Sequence, residues 1–116
     1  MENKLEETKS IMKKYGIREN KSLGQNFLIS NEVVEKIINA SDIKENDMVI
    51  EIGPGLGTLT KFLLQKAKKV LCVELDKKMI KILNDRFSDY NNFELINEDI
   101  LKVNLKKIIE DNKKTE

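Results

Sequence analysis

Apolar and polar residues follow one another along the chain in blocks that predict helices and strands in turn. Apolar residues at helical spacing predict four helices, over residues 31–40, 58–66, 77–87 and 104–111. Short apolar runs predict three strands, over residues 48–52, 69–75 and 93–97. Strands that alternate with helices are typical of parallel sheets, because each parallel connection needs a long crossover. The pattern therefore predicts an α/β fold with a doubly wound parallel sheet.

Two segments of this pattern give specific expectations about burial. The strand over residues 48–52 should be buried on both faces, because its apolar residues do not strictly alternate with polar ones. The helix over residues 31–40, which Ser30 can cap, should pack into the core. Its apolar face consists of four residues, Val33, Val34, Ile37 and Ile38. Both segments are thus predicted to belong to the interior.

The first 22 residues are predicted to form a basic N-terminal arm, ahead of a domain over residues 23–116. Between positions 8 and 22, Lys or Arg occurs five times and an acid occurs once, as Glu19. Residues 2–15 could form an amphipathic helix, with Gly16 as its C-cap. Two interpretations remain open, a solvated and frayed terminal helix or an arm that contacts phosphates.

Composition limits the kinds of chemistry that the chain can perform. The 116 residues include 21 basic and 20 acidic side chains, so a net charge of +1 does not by itself indicate nucleic acid. A single cysteine, Cys72, and no histidine predict that there is no metal site. Cys72, in the middle of a strand, is expected to be a packed core thiol. Since neither a signal peptide nor a membrane-length apolar run occurs, we expect a cytoplasmic protein without membrane contact.

The segment Gly-Pro-Gly-Leu-Gly at positions 53–57 joins the first strand to the following helix. Such a turn brings the backbone of a helix N-terminus close to a nucleotide-like ligand. Gly53 should leave room for that ligand, Gly55 should adopt a positive φ, and Gly57 should let helix and strand approach closely. The alternative is a tight turn that binds nothing, although three alternating glycines would then cost backbone entropy and contribute no packing.

The spacing of the glycines and two acids suggests which ligand is bound. A dinucleotide fingerprint needs its third glycine at position 58, which is Thr58, so the pattern behind Glu51 favours S-adenosylmethionine. Glu74 ends the second strand, where an acid can accept both ribose hydroxyls of an adenosine. Asp99 follows the third strand and can accept the adenine amino group. The alternatives are a solvated strand-end acid for Glu74 and a helix cap or turn acid for Asp99.

Ordered blocks of the sequence resemble a known enzyme family. Leu-Gly-Gln-Asn-Phe-Leu at 23–28 and Glu-Ile-Gly-Pro-Gly-Leu-Gly at 51–57 resemble the N-terminal part of the ribosomal RNA adenine dimethyltransferases of the kasugamycin-resistance type. With blocks at 21–22, 73–76 and 97–101, the resemblance spans residues 12–104. These enzymes methylate two adjacent adenines near the 3′ end of small-subunit rRNA. The resemblance implies S-adenosyl-L-methionine as cofactor and small-subunit rRNA or the pre-ribosomal small subunit as partner.

The resemblance also implies residue roles. Six residues are predicted to bind the cofactor: Asn26, Leu28, Gly53, Gly55, Glu74 and Asp99. Asn26 and Leu28 would border the methionine end of the cofactor, and these two roles come from the resemblance alone. For Gly53, Glu74 and Asp99 the implied contacts agree with the roles deduced from the residues.

One part of the family pattern is missing. The family has a catalytic Asn-Leu-Pro-Tyr-type segment at the end of a fourth strand, which would hold the flipped adenine, but the only proline here is Pro54. We therefore expect a Rossmann-like methyltransferase fold truncated to its first three strands and their helices, inactive alone and of uncertain oligomeric state. Its first strand, central in the family, would become an open apolar edge.

Three other functions remain open at this stage. The first is a macrolide-resistance type of large-subunit rRNA methyltransferase, whose glycine turn typically resembles Gly-Ser-Gly-Lys-Gly more closely. The second is a non-catalytic RNA-binding or ribosome-assembly module. The third is a nicotinamide dehydrogenase half-domain, which would need the third glycine at position 58.

Overall fold

A computed structural model describes residues 4–18 and 31–113 of the chain. The five helices of this part are α1 (Lys4–Tyr15), α2 (Asn31–Ser41), α3 (Thr58–Lys66), α4 (Lys77–Phe87) and α5 (Leu105–Lys113). Its three strands are β1 (Met48–Ile52), β2 (Lys69–Glu74) and β3 (Phe93–Asn97). Strands and helices alternate from β1 onwards, so the predicted α/β arrangement is confirmed. The short 3-10 helix Ile100–Lys102, which follows β3, was not predicted from the sequence.

The three strands form one parallel sheet in the order β1-β2-β3. Their carboxyl ends lie at the same edge, with Ile52 beside Val73 and Glu74 beside Asn97. β2 is the central strand, and its residues 70–74 are all buried. The segment after each strand therefore emerges at one common edge, where ligands bind in open α/β sheets.

The prediction that β1 is buried on both faces is wrong. Its first four residues are half-buried, and Ile52 is 57% exposed. The physical reason is that β1 lies at the edge of the sheet, because no strand in the described part of the chain pairs with its other side. The expectation of an open edge at this strand agrees with that order. Such an edge presents unpaired N–H and C=O groups.

The prediction for α2 is correct for only half of its apolar residues. Val34 and Ile38 are buried, whereas Val33 is 44% exposed and Ile37 is 37% exposed. Ile37 lines an open groove of about 530 Å³ between α2 and β1. Because this groove separates the helix from the sheet edge, only one stripe of the apolar face is covered.

The core lies between the sheet and helices α3 and α4. It includes buried side chains from both helices and from β2, among them Leu63, Leu64, Val70, Cys72, Met79, Ile82, Leu83 and Phe87. Helix α1 packs against this cluster through Ile11, Met12 and Tyr15, and Thr8 is 1% exposed. The interpretation of α1 as a frayed terminal helix is therefore wrong. Among the described helices, none is long and apolar enough to cross a membrane.

Candidate cofactor-binding site

The glycine turn between β1 and α3 has a backbone that only glycine adopts easily. Gly53, Gly55 and Gly57 have φ angles of 66°, 61° and 86°. The Gly53 amide donates to the Val73 carbonyl oxygen at 2.9 Å, which ties the turn to β2. The Gly57 amide donates to the Pro54 carbonyl oxygen at 3.0 Å and closes the turn. The turn is therefore held in shape by its own hydrogen bonds and by the neighbouring strand.

Two of the glycines differ in what surrounds them. A Cβ added to Gly53 would have no other heavy atom within 4 Å, so the space beside it is open to a ligand. A Cβ on Gly57 would overlap the Phe87 ring and lie 3.1 Å from Leu83 Cδ2. Phe87 and Leu83 belong to α4. Gly57 thus permits the approach of two helices, which corrects the expectation of a helix–strand contact.

Glu74 links the end of β2 to the glycine turn. Its Oε1 accepts the Gly55 amide at 3.2 Å, and its Oε2 accepts the Asp76 amide at 3.0 Å. The residue is only 9% exposed, so the alternative of a solvated strand-end acid is wrong. A carboxylate oxygen can accept two hydrogen bonds, so each oxygen of Glu74 can still accept one from a ligand hydroxyl.

Asp99 lies at the same edge of the sheet, after β3. Its Oδ1 accepts the Leu101 amide at 3.0 Å and caps the 3-10 helix. This bond is the one expected of the capping alternative, and the adenine contact stays a prediction. Asn97, which sequence reasoning did not single out, donates from Nδ2 to the Glu74 carbonyl oxygen at 2.9 Å and to the Leu75 carbonyl oxygen at 3.1 Å. In the sequence, only its position at the end of a strand, just before two acids, could have indicated a role for Asn97.

Glu51 lies on β1 just before the turn, and its carboxyl group is held by two neighbours. Thr60 donates from its hydroxyl to Glu51 Oε1, and Cys72 Sγ lies 3.7 Å from the same oxygen. Burial raises the pKa of Glu51, and the hydrogen bonds from Thr60 and Cys72 only partly oppose that shift. Burial also raises the pKa of the Cys72 thiol, in keeping with a packed and unreactive cysteine.

The raised pKa of Glu51 predicts how stability depends on pH. The folded chain binds the Glu51 proton more tightly than the unfolded chain, whose carboxyl titrates near 4.5. The stabilisation is therefore complete below that value and is lost as pH rises through the raised pKa. Urea unfolding from about pH 4 to pH 8 should show the wild type losing stability relative to Glu51→Gln over this window. Parallel curves for the two proteins would contradict the prediction.

Four of the predicted site residues come together at the carboxyl edge of the sheet. Gly53 and Gly55 form the turn, Glu74 bonds to it, and Asp99 follows the neighbouring strand. Asn26 and Leu28 lie outside the described residues. A parallel sheet with a glycine turn after its first strand and an acid at the end of its second is the adenosine-binding arrangement of Rossmann-like folds.

Comparison with known proteins names the family. The profile of the family described as "Ribosomal RNA adenine dimethylase" matches residues 16–116. The chain belongs to this family. A dehydrogenase half-domain is thereby set aside, as the missing glycine at position 58 had already indicated.

Curated relatives agree with this assignment. "Ribosomal RNA small subunit methyltransferase A" of Alkaliphilus metalliredigens is 52% identical over 104 residues, which are 90% of this chain and 36% of the relative. The protein of that name from Staphylococcus aureus is 52% identical over 103 residues, 89% of this chain and 35% of the relative. The chain thus spans about a third of the length of these relatives.

Solved structures show the same fold. A dimethyladenosine transferase from Plasmodium falciparum is 40% identical with a TM-score of 0.60, over 65% of this chain and 28% of that one. The 23S rRNA methyltransferase ErmE is 32% identical with a TM-score of 0.62, over 67% of this chain and 32% of that one. Both comparisons support a Rossmann-like methyltransferase fold, of which the described residues form three strands. The large-subunit alternative is not better supported than the small-subunit one.

Proposed function

We propose that this chain is the S-adenosylmethionine-binding part of an rRNA adenine N6,N6-dimethyltransferase. The family supports rRNA as the substrate, and the names of the curated relatives, which specify the small subunit, support small-subunit rRNA. The observation on which the proposal chiefly depends is the bond between Glu74 and the Gly55 amide, at 3.2 Å. It places a carboxylate beside a turn that leaves open space at Gly53.

The residues present fit the cofactor. The open space at Gly53 is a cradle that a Cβ would fill, and an adenosine can approach the backbone there. Glu74 would accept the ribose hydroxyls and Asp99 the adenine amino group. Asn26 and Leu28 would border the methionine end, as the family resemblance implies.

When bound, S-adenosylmethionine supplies an electrophilic methyl group, and the adenine N6 is the acceptor. The residues of this chain orient the cofactor, and none of them is assigned a catalytic role. Such a transfer depends mainly on alignment of the two reactants rather than on an activated protein nucleophile. We assign the groups that hold the adenine to the part of the related proteins that this chain does not span. The arm over residues 1–22, the domain over 23–116 and a cytoplasmic location belong to the same proposal.

Two alanine variants test the cofactor proposal. Gly53→Ala and Gly16→Ala both place a side chain at a positive φ, 66° and 63°, where no heavy atom lies within 4 Å. Each should therefore lose about 1–2 kcal/mol of stability. Only Gly53→Ala should also weaken S-adenosylmethionine binding, by about tenfold or more, because its methyl group enters the space of the ligand.

Isothermal titration and urea unfolding measure the two effects separately. Equal cofactor affinities for Gly53→Ala and Gly16→Ala would show that the ligand does not occupy the space beside Gly53. If the wild-type chain binds NAD and not S-adenosylmethionine, the proposed function is wrong.

A further inference from the structure

Helix α1 is joined to the region of the glycine turn by polar contacts that span large distances in sequence. The hydroxyl oxygens of Thr8 and Thr58 lie 3.2 Å apart, and Thr58 is the first residue after the turn. Glu7 Oε1 and Arg86 Nη2 form an ion pair of 2.5 Å. Lys61 Nζ approaches the other oxygen of Glu7 at 3.1 Å. Helix α1 is thus bound to both α3 and α4 beside the turn.

Arg86 connects α1 directly with the turn. Its Nη1 donates to the carbonyl oxygen of Leu56, the residue between the second and third glycines. The Arg86 side chain is 14% exposed, and its guanidinium lies 4.8 Å from the centroid of the Phe87 ring. Burial lowers the pKa of Arg86, while the charge of Glu7 opposes that change. Because the guanidinium is planar and rigid, the bond to Glu7 also sets its direction towards Leu56.

Two consecutive residues of the turn are therefore held by side chains from different elements. The Gly55 amide is bound by Glu74 of β2, and the Leu56 carbonyl is bound by Arg86 of α4. Because glycine has the greatest backbone freedom, a turn with three glycines keeps one shape only where its surroundings hold it in place. Without Glu7, Arg86 would be a buried cation that lacks its carboxylate partner, and it could turn away from Leu56.

We infer that Glu7 and Arg86 are positioning residues for the cofactor turn, and that α1 belongs to the cofactor-binding unit because it acts on this turn through Arg86. This inference rests on the proposed function. It assigns to the N-terminal helix a role in binding the cofactor, through the orientation of the Leu56–Gly57 peptide, whose carbonyl Arg86 binds. Loss of the Glu7–Arg86 pair loosens the turn and lowers the affinity for S-adenosylmethionine.

Amide hydrogen exchange of the 116-residue chain, together with cofactor titration, tests this role. In Glu7→Gln, the amides of Gly55 and Gly57 should exchange about tenfold faster, while the Val73 amide in the central strand stays at its wild-type rate. The affinity for S-adenosylmethionine should fall about fivefold. Arg86→Lys should have the same effects, because it keeps the charge but loses the planar guanidinium that binds Glu7 and Leu56 at the same time. The double variant should be no worse than Glu7→Gln alone, because Glu7→Gln has already broken the pair that Arg86→Lys removes.

Glu32→Gln is the matched control. It makes the same change of charge but breaks an exposed ion pair with Lys36, whose two side chains are 76% and 78% exposed. This variant should exchange and bind like the wild type.

Three outcomes would overturn the inference. Wild-type exchange at Gly55 and Gly57 in the Glu7 variant would show that the pair does not hold the turn. Equal acceleration at Val73 would show a merely structural role. Faster exchange at the turn with unchanged affinity would remove the link to the ligand. If the wild-type chain binds no S-adenosylmethionine, the proposed function fails, and the exchange rates still decide whether Glu7 and Arg86 hold the turn.

Discussion

Replacing Gly57 with alanine is expected to destabilise the chain by about 2–5 kcal/mol, measured by urea unfolding. One part of this loss, about 1–2 kcal/mol, is the strain of a side chain at a φ of 86°. The other part, about 1–3 kcal/mol, comes from the overlap of the new methyl group with the Phe87 ring. Since small domains are stable by only about 5–15 kcal/mol, this loss is a large fraction of the total free energy of unfolding.

Gly16→Ala separates the two contributions to this loss. Gly16 has a φ of 63°, and an added Cβ would have no heavy atom within 4 Å, so its replacement causes strain alone. The difference between the two variants therefore measures the overlap with Phe87. In a Phe87→Leu background, adding Gly57→Ala should cost less stability than it does in the wild type, because the smaller side chain relieves part of the overlap. Equal losses for Gly57→Ala and Gly16→Ala would show that α4 moves aside without cost.

Replacing Glu74 with alanine is expected to lower the affinity for S-adenosylmethionine by about 100-fold or more, measured by isothermal titration. Two hydrogen bonds from ribose hydroxyls to a charged acceptor contribute about 1.5 kcal/mol each at the low end. Their sum of about 3 kcal/mol corresponds to roughly 100-fold in affinity. The variant also removes the partner of the Gly55 amide, so some additional loss will come from the turn itself.

A control and a modified ligand distinguish these contributions. Glu94→Ala makes the same replacement on β3, where the side chain is 47% exposed, and should leave the affinity unchanged. A 2′-deoxy analogue of the cofactor lacks one ribose hydroxyl. With that analogue, the ratio of wild-type to Glu74→Ala affinity should be about tenfold smaller. A ratio that is the same for both ligands would remove the ribose role, and an affinity indifferent to Glu74 would remove any role in binding.

Local patterns in the sequence were sufficient to predict most helices and strands, and they indicated a site for an adenosine-containing cofactor. The bounds of β1, α3, α4 and β3 agree with the predicted segments, because apolar periodicity and glycine positions reflect interactions between neighbours in sequence. The spacing of the three glycines and the position of Glu74 at a strand end indicated an adenosine-binding edge without knowledge of any distance. The family resemblance likewise depended on short blocks of sequence, chiefly residues 23–28 and 51–57.

Other features depend on how whole elements lie against each other. The exposure of β1 and of half of α2 follows from the order of the strands, which periodicity does not encode. The contact of Gly57 with α4 was assigned to a strand instead, because nothing near Gly57 in sequence identifies Phe87 as its neighbour.

The sequence by itself thus determined the succession of strands and helices, the turn at positions 53–57, and the two acids, Glu74 at the end of β2 and Asp99 after β3. Only the tertiary structure decided what holds that turn. Glu74 was expected to be available to a ribose, and it also binds the Gly55 amide. Glu7 and Arg86, 79 residues apart, meet because α1 docks on α3 and α4. Neither residue stands out in the sequence, since a charged residue on a helix usually faces solvent and its partner is set by packing over long range.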